Sequence, residues 1–226
     1  MNGVKVGIIG IGNMGSAHLR MITGGNIPDM TVTAVCDINP ERLKAAKAEY
    51  PDIAAFGDYT ELLKSSDTDA VIIAVPHPLH AKIAIEAFEY GKHVLVEKPM
   101  DITVSAAEKL CAAARKSGKV FAVMFNQRTN GLFREARRIV NSGELGELKR
   151  SVWIITNWYR TQSYYDSGSW RATWRGEGGG VLLNQAPHNL DIWQWICGMP
   201  SAVMVLSLVQ SQRAVYLDNH SYQIPR

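Results

Sequence analysis

An apolar segment runs directly into a glycine-rich turn near the start of the chain, and this junction restricts the fold more than any other feature. The sequence from residue 4 reads VKVGIIGIGNMG, in which Gly10, Gly12 and Gly15 form a GxGxxG pattern. Such a turn between a strand and a helix lets a pyrophosphate approach the backbone and meet the free N–H groups of the helix. The pattern predicts a dinucleotide site, and a glycine-rich turn without a ligand is the alternative.

An acidic residue ends the second apolar segment. Residues 30–36 lead into Asp37, which follows Gly15 by about twenty positions, the usual distance in dinucleotide-binding units. A carboxylate at that point can accept both ribose hydroxyls of the adenosine but repels a 2′-phosphate. We therefore expect NAD rather than NADP as the cofactor. The alternative is that Asp37 caps the helix that follows the DINPER turn.

Apolar runs alternate with helical patterns through residue 124, which predicts an α/β fold with a doubly wound parallel Rossmann sheet. The predicted strands are residues 4–9, 32–36, 70–75, 93–96 and 120–124. The predicted helices lie near residues 13–24, 40–49, 78–90 and 103–117. We expect residues 1–124 to form an NAD-binding domain.

The pattern changes after residue 124, where a second domain is predicted over residues 125–226. Its predicted elements are a helix at 134–141, a half-exposed strand at 149–158, a loop at 159–180 and an amphipathic helix at 183–196 that ends at Gly198. This pattern predicts an incomplete α+β domain with an open, mostly antiparallel sheet.

Composition excludes several classes of protein. The net charge is only +3, and the basic residues are scattered, so a nucleic-acid partner is not expected. No apolar segment approaches the length of a membrane span, and no basic-then-apolar leader is present. The three cysteines, Cys36, Cys111 and Cys197, lie singly in apolar surroundings, which favours reduced thiols over disulfides or a metal site. We expect a soluble, cytoplasmic protein without a bound metal.

Lys98 is the first candidate for reaction chemistry. It lies in the tripeptide EKP at the end of the fifth predicted strand, on the carboxyl edge where doubly wound sheets bind ligands. Pro99 restricts Lys98 to an extended backbone and permits a cis peptide bond. A lysine on a surface loop is the alternative.

His188 is the second candidate. It follows Asn184 by four residues, so both side chains share one side of a helix and Asn184 can orient the imidazole as a general base. Pro187 indicates that the helix begins nearby, where a neutral imidazole is favoured over a charged one. A purely structural histidine is the alternative. We expect Lys98 and His188 to face each other across one cleft.

Aromatic and basic residues are densest between residues 159 and 175. They are Tyr159, Tyr164, Tyr165, Trp170, Arg171, Trp174 and Arg175. Aromatic faces and guanidinium donors suit a sugar ligand, whereas tryptophans that merely pack a core are the alternative.

Five short segments occur in a fixed order along the chain. They are GIGNMG at 10–15, AVPHPLH at 74–80, VEKP at 96–99, FNQR at 125–128 and GGGVLLNQAPHNLD at 178–191. Together they resemble the glucose-fructose oxidoreductase, inositol dehydrogenase and MocA family of nicotinamide-dependent oxidoreductases. The resemblance runs from about Val4 to about Pro200.

The resemblance implies roles for individual residues. Lys98 would contact the reacting hydroxyl and the nicotinamide region, and His188, with Asn184 beside it, would take or return the hydroxyl proton. Many members carry Asp at the position of Asn184; Asn can orient His188 but cannot stabilise an imidazolium by charge. The implied cofactor contacts are Gly10, Gly12, Asn13, Met14, Gly15, Asp37, Pro76, His77, His80, Glu97, Lys98 and Gln127. The implied substrate contacts are Lys98, Tyr159, Trp170, Arg171, Trp174 and His188.

The resemblance also implies an activity, namely NAD-dependent hydride transfer from or to a secondary hydroxyl of a sugar, sugar derivative or cyclitol. One alternative is a glycosidase or lyase of the same ancestry that oxidises its sugar transiently and keeps the cofactor bound. Another is a regulatory protein that binds a dinucleotide without turnover.

The end of the chain departs from the resemblance. Family members are considerably longer, and beyond about Pro200 we expect no likeness; truncation, a changed reading frame and a genuine short variant all remain open. A strand at 149–158 with few neighbours would leave an exposed edge. We therefore expect NAD binding with poor turnover, and a homo-oligomer through the second-domain sheet where that domain is complete.

Overall fold

Six parallel strands form the sheet of the first of two units. The computed structural model describes residues 3–65, 67–156, 160–168 and 170–204, and the chain divides into the units Met1–Met124 and Phe125–Arg226. The strands are β1 (Val4–Ile9), β2 (Met30–Cys36), β3 (Ala54–Phe56), β4 (Ala70–Ile73), β5 (His93–Val96) and β6 (Phe121–Val123). Their order across the sheet is β3-β2-β1-β4-β5-β6, and every pairing is parallel. The predicted parallel α/β sheet is confirmed.

Five helices cover the two faces of this sheet. They are α1 (Asn13–Thr23), α2 (Pro40–Glu49), α3 (Tyr59–Lys64), α4 (His80–Glu89) and α5 (Val104–Ser117). Helices α1 and α2 contribute Leu19 and Ala46 to one hydrophobic core. Leu62, Phe88 and Leu110 from the other three helices belong to a second core. Two separate cores mean that helices pack on both faces, as in a doubly wound fold.

The strand β3 and the helix α3 were not predicted from the sequence. Strand β3 has only three residues, two of them alanine, which is uncommon in strands, whereas the equally short β6 lies within the apolar run 120–124. Helix α3 does carry a local marker, because Asp58 accepts a hydrogen bond from Thr60 N at 2.7 Å and Glu61 lies in the first turn. An acidic cap with a glutamate shortly after it is a recognised helix start.

The second unit consists of helices in the part that the structure describes. They are α6 (Gly131–Ser142), α7 (Gln162–Asp166), α8 (Trp174–Glu177), α9 (Val181–Asn184) and α10 (Pro187–Cys197). The single helix predicted at 183–196 is therefore two helices. They are separated near Pro187, which lacks a backbone N–H and begins α10, as its position in the sequence indicated.

Two predictions for the second unit are wrong in the described residues. Residues 149–156 form no strand, and the described ranges of this unit contain no other strand that could accept and donate the ladder hydrogen bonds a strand needs. The predicted loop at 159–180 contains the helices α7 and α8. Thr173 accounts for the start of α8, because its Oγ1 caps this helix by accepting a hydrogen bond from Gly176 N at 2.9 Å.

Within the described ranges, no helix combines the length and apolar character needed to cross a membrane. Nor do those ranges gather three or more His, Cys, Asp or Glu side chains in a group able to hold a metal ion.

Leu110 offers a test of the second core. Its side chain on α5 is fully buried, whereas Val104 at the start of the same helix is 76% exposed. Leu110→Ala should lower the free energy of unfolding of the first unit by about 2–5 kcal/mol, because it leaves a cavity among fixed neighbours. Val104→Ala should change it by less than about 0.5 kcal/mol. Urea unfolding followed by circular dichroism measures both, and equal effects would contradict the assigned packing.

Candidate functional site

The glycine turn after β1 is held by contacts that exclude side chains at two positions. Gly10 has φ +87°, and its N–H donates to Cys36 O at 2.7 Å. A Cβ placed on Gly10 would lie 2.6 Å from Ala74 O, and one on Gly15 would lie 1.8 Å from Gly10 O. Both glycines are therefore required by the fold itself, with or without a ligand.

Gly12 differs because the fold does not require it. A Cβ there would have, among the described residues, only Arg42 Nη1 within 4 Å, at 3.8 Å. Gly12 precedes α1, no side chain caps that helix, and its first residues Asn13 and Met14 are exposed. The open face beside uncapped helix N–H groups fits a phosphate, because backbone donors and the positive end of the helix dipole meet there.

Asp37 connects this turn to the end of β2. Its Oδ2 accepts from Ile11 N at 2.9 Å, its Oδ1 accepts from Asn39 N at 2.8 Å, and its side chain is only 5% exposed. The alternative that Asp37 caps α2 is wrong, because Asn39 caps this helix by accepting a hydrogen bond from Glu41 N. Asp37 thus fixes the same turn that carries Gly12.

Arg42 lies beside this carboxylate, although its position one turn into α2 favoured a solvated side chain. Its Nη1 donates to Asp37 Oδ2 at 3.3 Å while half of the side chain stays exposed. A cation next to Gly12 and Asp37 reduces the repulsion that Asp37 alone would exert on a phosphate. Arg42 reaches Asp37 because it follows Asp37 by five residues and lies in the first turn of α2.

The segment after β4 buries two histidines. His80 Nδ1 lies 2.7 Å from Pro99 O, and its Nε2 lies 2.8 Å from Val75 O. Burial lowers the pKa of His80, while the two carbonyl oxygens oppose that effect. His77 is also buried, with its ring 5.8 Å from that of His80, whereas Pro76 is exposed. His80 therefore joins the end of β4 to the EKP segment.

Glu97 and Lys98 occupy the end of β5. Glu97 is 7% exposed; its Oε1 lies 2.8 Å from His18 Nε2, and its Oε2 accepts from Lys98 N at 3.2 Å. The Lys98–Pro99 peptide bond is cis, as the sequence allowed. His18 on α1 was missed, because its partner lies 79 positions away and no local pattern connects them. The Lys98 side chain is half-buried.

In the second unit, Asn184 ends α9 and His188 follows in the first turn of α10. Asn184 is buried, and its Nδ2 donates to Oε1 of Glu177, itself 4% exposed. The Phe125 ring meets the His188 ring edge-on, with centroids 6.1 Å apart. Glu177 was not singled out from the sequence, although it directly precedes the three glycines at 178–180.

A partly buried ion pair fixes the turn that contains Gln127. Arg128 Nε donates to Asp191 Oδ2 at 2.8 Å, and Nη2 donates to Oδ1 at 2.5 Å. This hydrogen bonding raises the pKa of Arg128. Asp191 lies three residues after His188 on α10, so the pair attaches the FNQR segment to the helix that carries His188. The sequence motifs contained both residues without indicating that they meet.

Among the aromatic and basic residues, Tyr165, Trp170 and Arg171 form a compact cluster with Tyr164. Arg171 Cζ lies 4.2 Å from the centre of the Tyr164 ring and 4.7 Å from that of Trp170, and Nη1 donates to Tyr164 Oη at 2.7 Å. Trp174 is 54% exposed on α8. Tyr159 lies outside the described residues.

Comparison with protein families gives two matches. The family model described as "Oxidoreductase family, NAD-binding Rossmann fold" matches residues 4–125. The GFO/IDH/MocA C-terminal domain matches residues 133–220. The first unit is therefore an NAD-binding Rossmann domain. The likeness also continues beyond Pro200, so the expectation that it ends there is wrong.

Individual relatives are similar over much of this chain. It is 31% identical over 189 residues to a 1-carboxy-3-chloro-3,4-dihydroxycyclohexa-1,5-diene dehydrogenase of Comamonas testosteroni, covering 84% of this chain and 46% of the relative. It is 34% identical over 146 residues to an inositol 2-dehydrogenase of Salmonella typhimurium, covering 64% and 43%. This chain thus spans about half the length of the curated relatives it matches.

One solved structure is similar in both fold and sequence. It is the WlbA dehydrogenase from Bordetella pertussis in complex with NADH and UDP-GlcNAcA, with a TM-score of 0.76 and 28% identity. The similarity covers 87% of this chain and 59% of that one.

The contrast between Gly12 and Gly15 gives a direct test of the dinucleotide site. Gly12→Ala should leave the melting temperature unchanged but weaken NAD binding at least tenfold, or about 1.4 kcal/mol, because the methyl group occupies space needed by a phosphate. Gly15→Ala should lower the melting temperature as well, since its Cβ collides with Gly10 O. Calorimetry with and without NAD measures both, and unchanged NAD affinity in Gly12→Ala would argue against a phosphate at this face.

Proposed function

This chain belongs to the GFO/IDH/MocA family of oxidoreductases, and we propose that it is an NAD-dependent dehydrogenase acting on a secondary hydroxyl of a sugar, sugar derivative or cyclitol. The observation that carries the proposal is the open face of Gly12, which would take a phosphate, joined by the Ile11 N–Asp37 bond to the carboxylate that would accept the ribose hydroxyls. When bound, the nicotinamide would accept or donate the hydride.

Two side chains are proposed to handle the substrate hydroxyl. Lys98, as a cation at the end of β5, would lower the cost of a developing alkoxide, and His188 would take or return the proton. The His18–Glu97 contact and the bond from Lys98 N to Glu97 support this role, because they fix the backbone from which Lys98 extends. The Phe125 ring supports the second role by packing against His188.

The substrate class is proposed from the aromatic cluster together with the relatives. Trp170 and Tyr164 hold Arg171 between aromatic surfaces, an arrangement that presents guanidinium donors beside faces able to stack on a sugar ring. The relatives are named for inositol and for a dihydroxycyclohexadiene, and one solved neighbour holds UDP-GlcNAcA. All three ligands contain a ring with hydroxyl groups.

We also propose a cytoplasmic location and a homo-oligomer. Cys36, Cys111 and Cys197 are free thiols, which suits a reducing compartment. Burial, and then the nearby Asp37 carboxylate, raises the pKa of the Cys36 thiol to about 12, so this thiol stays protonated. The second unit exposes large apolar side chains such as Leu132 and Ile154, which suit a contact with another copy. Sedimentation measures that assembly.

Substrate turnover tests the proposed function. NADH absorbance should rise when NAD and one member of a panel of inositols, hexoses and uronic acids are added to the protein. Lys98→Met should lower that rate at least about a hundredfold, because it removes a fixed charge from the transition state. It should leave NAD affinity within about twofold, since the phosphates are bound elsewhere. Lys82→Met, an exposed lysine on α4, is the matched control.

The other outcomes separate the alternatives. Substrate consumed without NADH accumulation would support transient oxidation followed by elimination. Tight NAD binding without turnover, both in this chain and in a version extended with a family-like C-terminal segment, would support a dinucleotide-binding regulatory protein. A Lys98→Met variant as active as the wild type would remove Lys98 from the mechanism.

Cofactor choice gives a separate prediction for Asp37 and Arg42. The wild type should bind NAD at least tenfold more tightly than NADP, about 1.4 kcal/mol, because a phosphate would meet the Asp37 carboxylate. Asp37→Ser should remove this preference, since it leaves Arg42 available to a 2′-phosphate. Adding Arg42→Ala should lower NADP affinity again. Dissociation constants from NADH and NADPH fluorescence give the ratio, and a wild type that prefers NADP would refute the role of Asp37.

A further inference from the structure

We propose that Glu177 supplies the negative charge that stabilises the protonated form of His188, with Asn184 holding the carboxylate in place. Glu177 is then a positioning residue that acts through its charge and does not touch the substrate. The proposal rests on the proposed acid/base role of His188 and adds to it the source of the charge that Asn184 itself lacks.

Glu177 is buried, so its carboxylate depends on hydrogen-bond donors from the protein. Glu177 is 4% exposed and Asn184 is 5% exposed. A carboxylate so shielded needs hydrogen-bond donors, and Asn184 Nδ2 donates to its Oε1. In this proposal Glu177 is ionised and can only accept, so the bond turns the NH2 group of the Asn184 amide toward it. Asn184 then holds the charge of Glu177 instead of supplying one.

The backbone around Glu177 is tightly fixed. Thr173 Oγ1 donates to Trp170 O at 2.8 Å and accepts from Gly176 N at 2.9 Å. A Cβ on Gly176 would lie 2.2 Å from Trp170 O, so the chain can approach this closely only with glycine there. Gly178, with φ +78°, ends the helix. Glu177 is thus held at a defined point, which an electrostatic partner requires.

The connection from Asn184 to His188 follows from the helical turns between them. Gln185 (φ −89°, ψ −42°) and Ala186 (φ −85°, ψ −4°) keep right-handed helical dihedrals between α9 and α10, and Ala186 N donates to Val181 O at 2.8 Å. Residues four apart on such a turn share one side. The Asn184 side chain, which bonds Glu177, therefore lies on the side of the chain that carries His188.

The other charged groups packed against α10 do not supply this charge. In the described residues, α6 carries Arg134, Glu135, Arg137 and Arg138, the turn at 126–129 carries Arg128, and α10 itself carries Asp191. The segment at 149–156, whose Ser151 accepts a hydrogen bond from Trp193 Nε1 of α10 at 2.9 Å, adds only the exposed cations Lys149 and Arg150. Arg128 and Asp191 form an ion pair, as do Glu135 and Arg138. Arg134 is exposed, and Arg137 lies 4.3 Å from the centre of the Trp195 ring; both are cations that would disfavour an imidazolium.

The test is an NMR titration of the His188 ring in the whole chain. Glu177→Gln keeps the shape and a hydrogen bond to Asn184 but removes the charge, so the pKa of His188 should fall by about 0.5 to 1 unit. The double variant Glu177→Gln/Asn184→Asp returns a carboxylate to the cluster and should bring the pKa back to the wild-type value or above. Glu135→Gln, an exposed glutamate of the same unit, is the control and should leave it unchanged.

A second measurement needs no variant. In the wild-type protein, the Glu177 carboxyl carbon shift should show an inflection at the midpoint of the His188 titration, because coupled charges report each other's protonation. A His188 pKa unchanged in Glu177→Gln, or no such inflection, would overturn the proposal. A failure of the proposed function would look different. Full turnover in His188→Ala would remove the acid/base role of His188, while the coupling between Glu177 and His188 could still be measured in the wild-type protein.

Discussion

The bond from Ile11 N to Asp37 Oδ2 joins the two segments that form the candidate cofactor site. It joins the glycine turn after β1 to the end of β2, and the neighbouring bond from Gly10 N to Cys36 O repeats the connection through the backbone. A buried carboxylate would be costly without such donors. One group therefore sets the positions of both the turn proposed to bind the phosphates and the carboxylate proposed to accept the adenosine ribose hydroxyls.

The fold of the first unit was predictable where its strands lie in segments rich in valine, isoleucine and leucine. Strands β1, β2 and β5 are of this kind, and Gly10 after β1 and Gly91 before β5 mark boundaries. Strand β3 was missed because two of its three residues are alanine, whereas the equally short β6 lies within the apolar run 120–124. Residues 149–156 show the opposite error, since their alternation predicted a strand for which the described part of the unit offers no pairing partner. Alternation of apolar and polar residues shows that a segment favours the strand conformation, but a strand also needs a neighbouring strand to pair with.

The candidate site was predictable in its residues more than in its contacts. Gly12, Asp37, Lys98 and His188 stand in motifs that the sequence displays. Their partners do not, because contacts such as His18 with Glu97 join distant positions, and only the folded sheet brings the carboxyl ends of its strands together. Glu177 is the clearest case, because its proposed role depends on the burial of its side chain, and no local sequence pattern indicates that burial.

A crystal structure of this chain with NAD bound would test the proposed cofactor site most directly. We expect the pyrophosphate to lie against Gly12 at the start of α1, with both adenosine ribose hydroxyls donating to Asp37. A nucleotide bound elsewhere, or a ribose turned away from Asp37 with the Ile11 N–Asp37 bond broken, would contradict it.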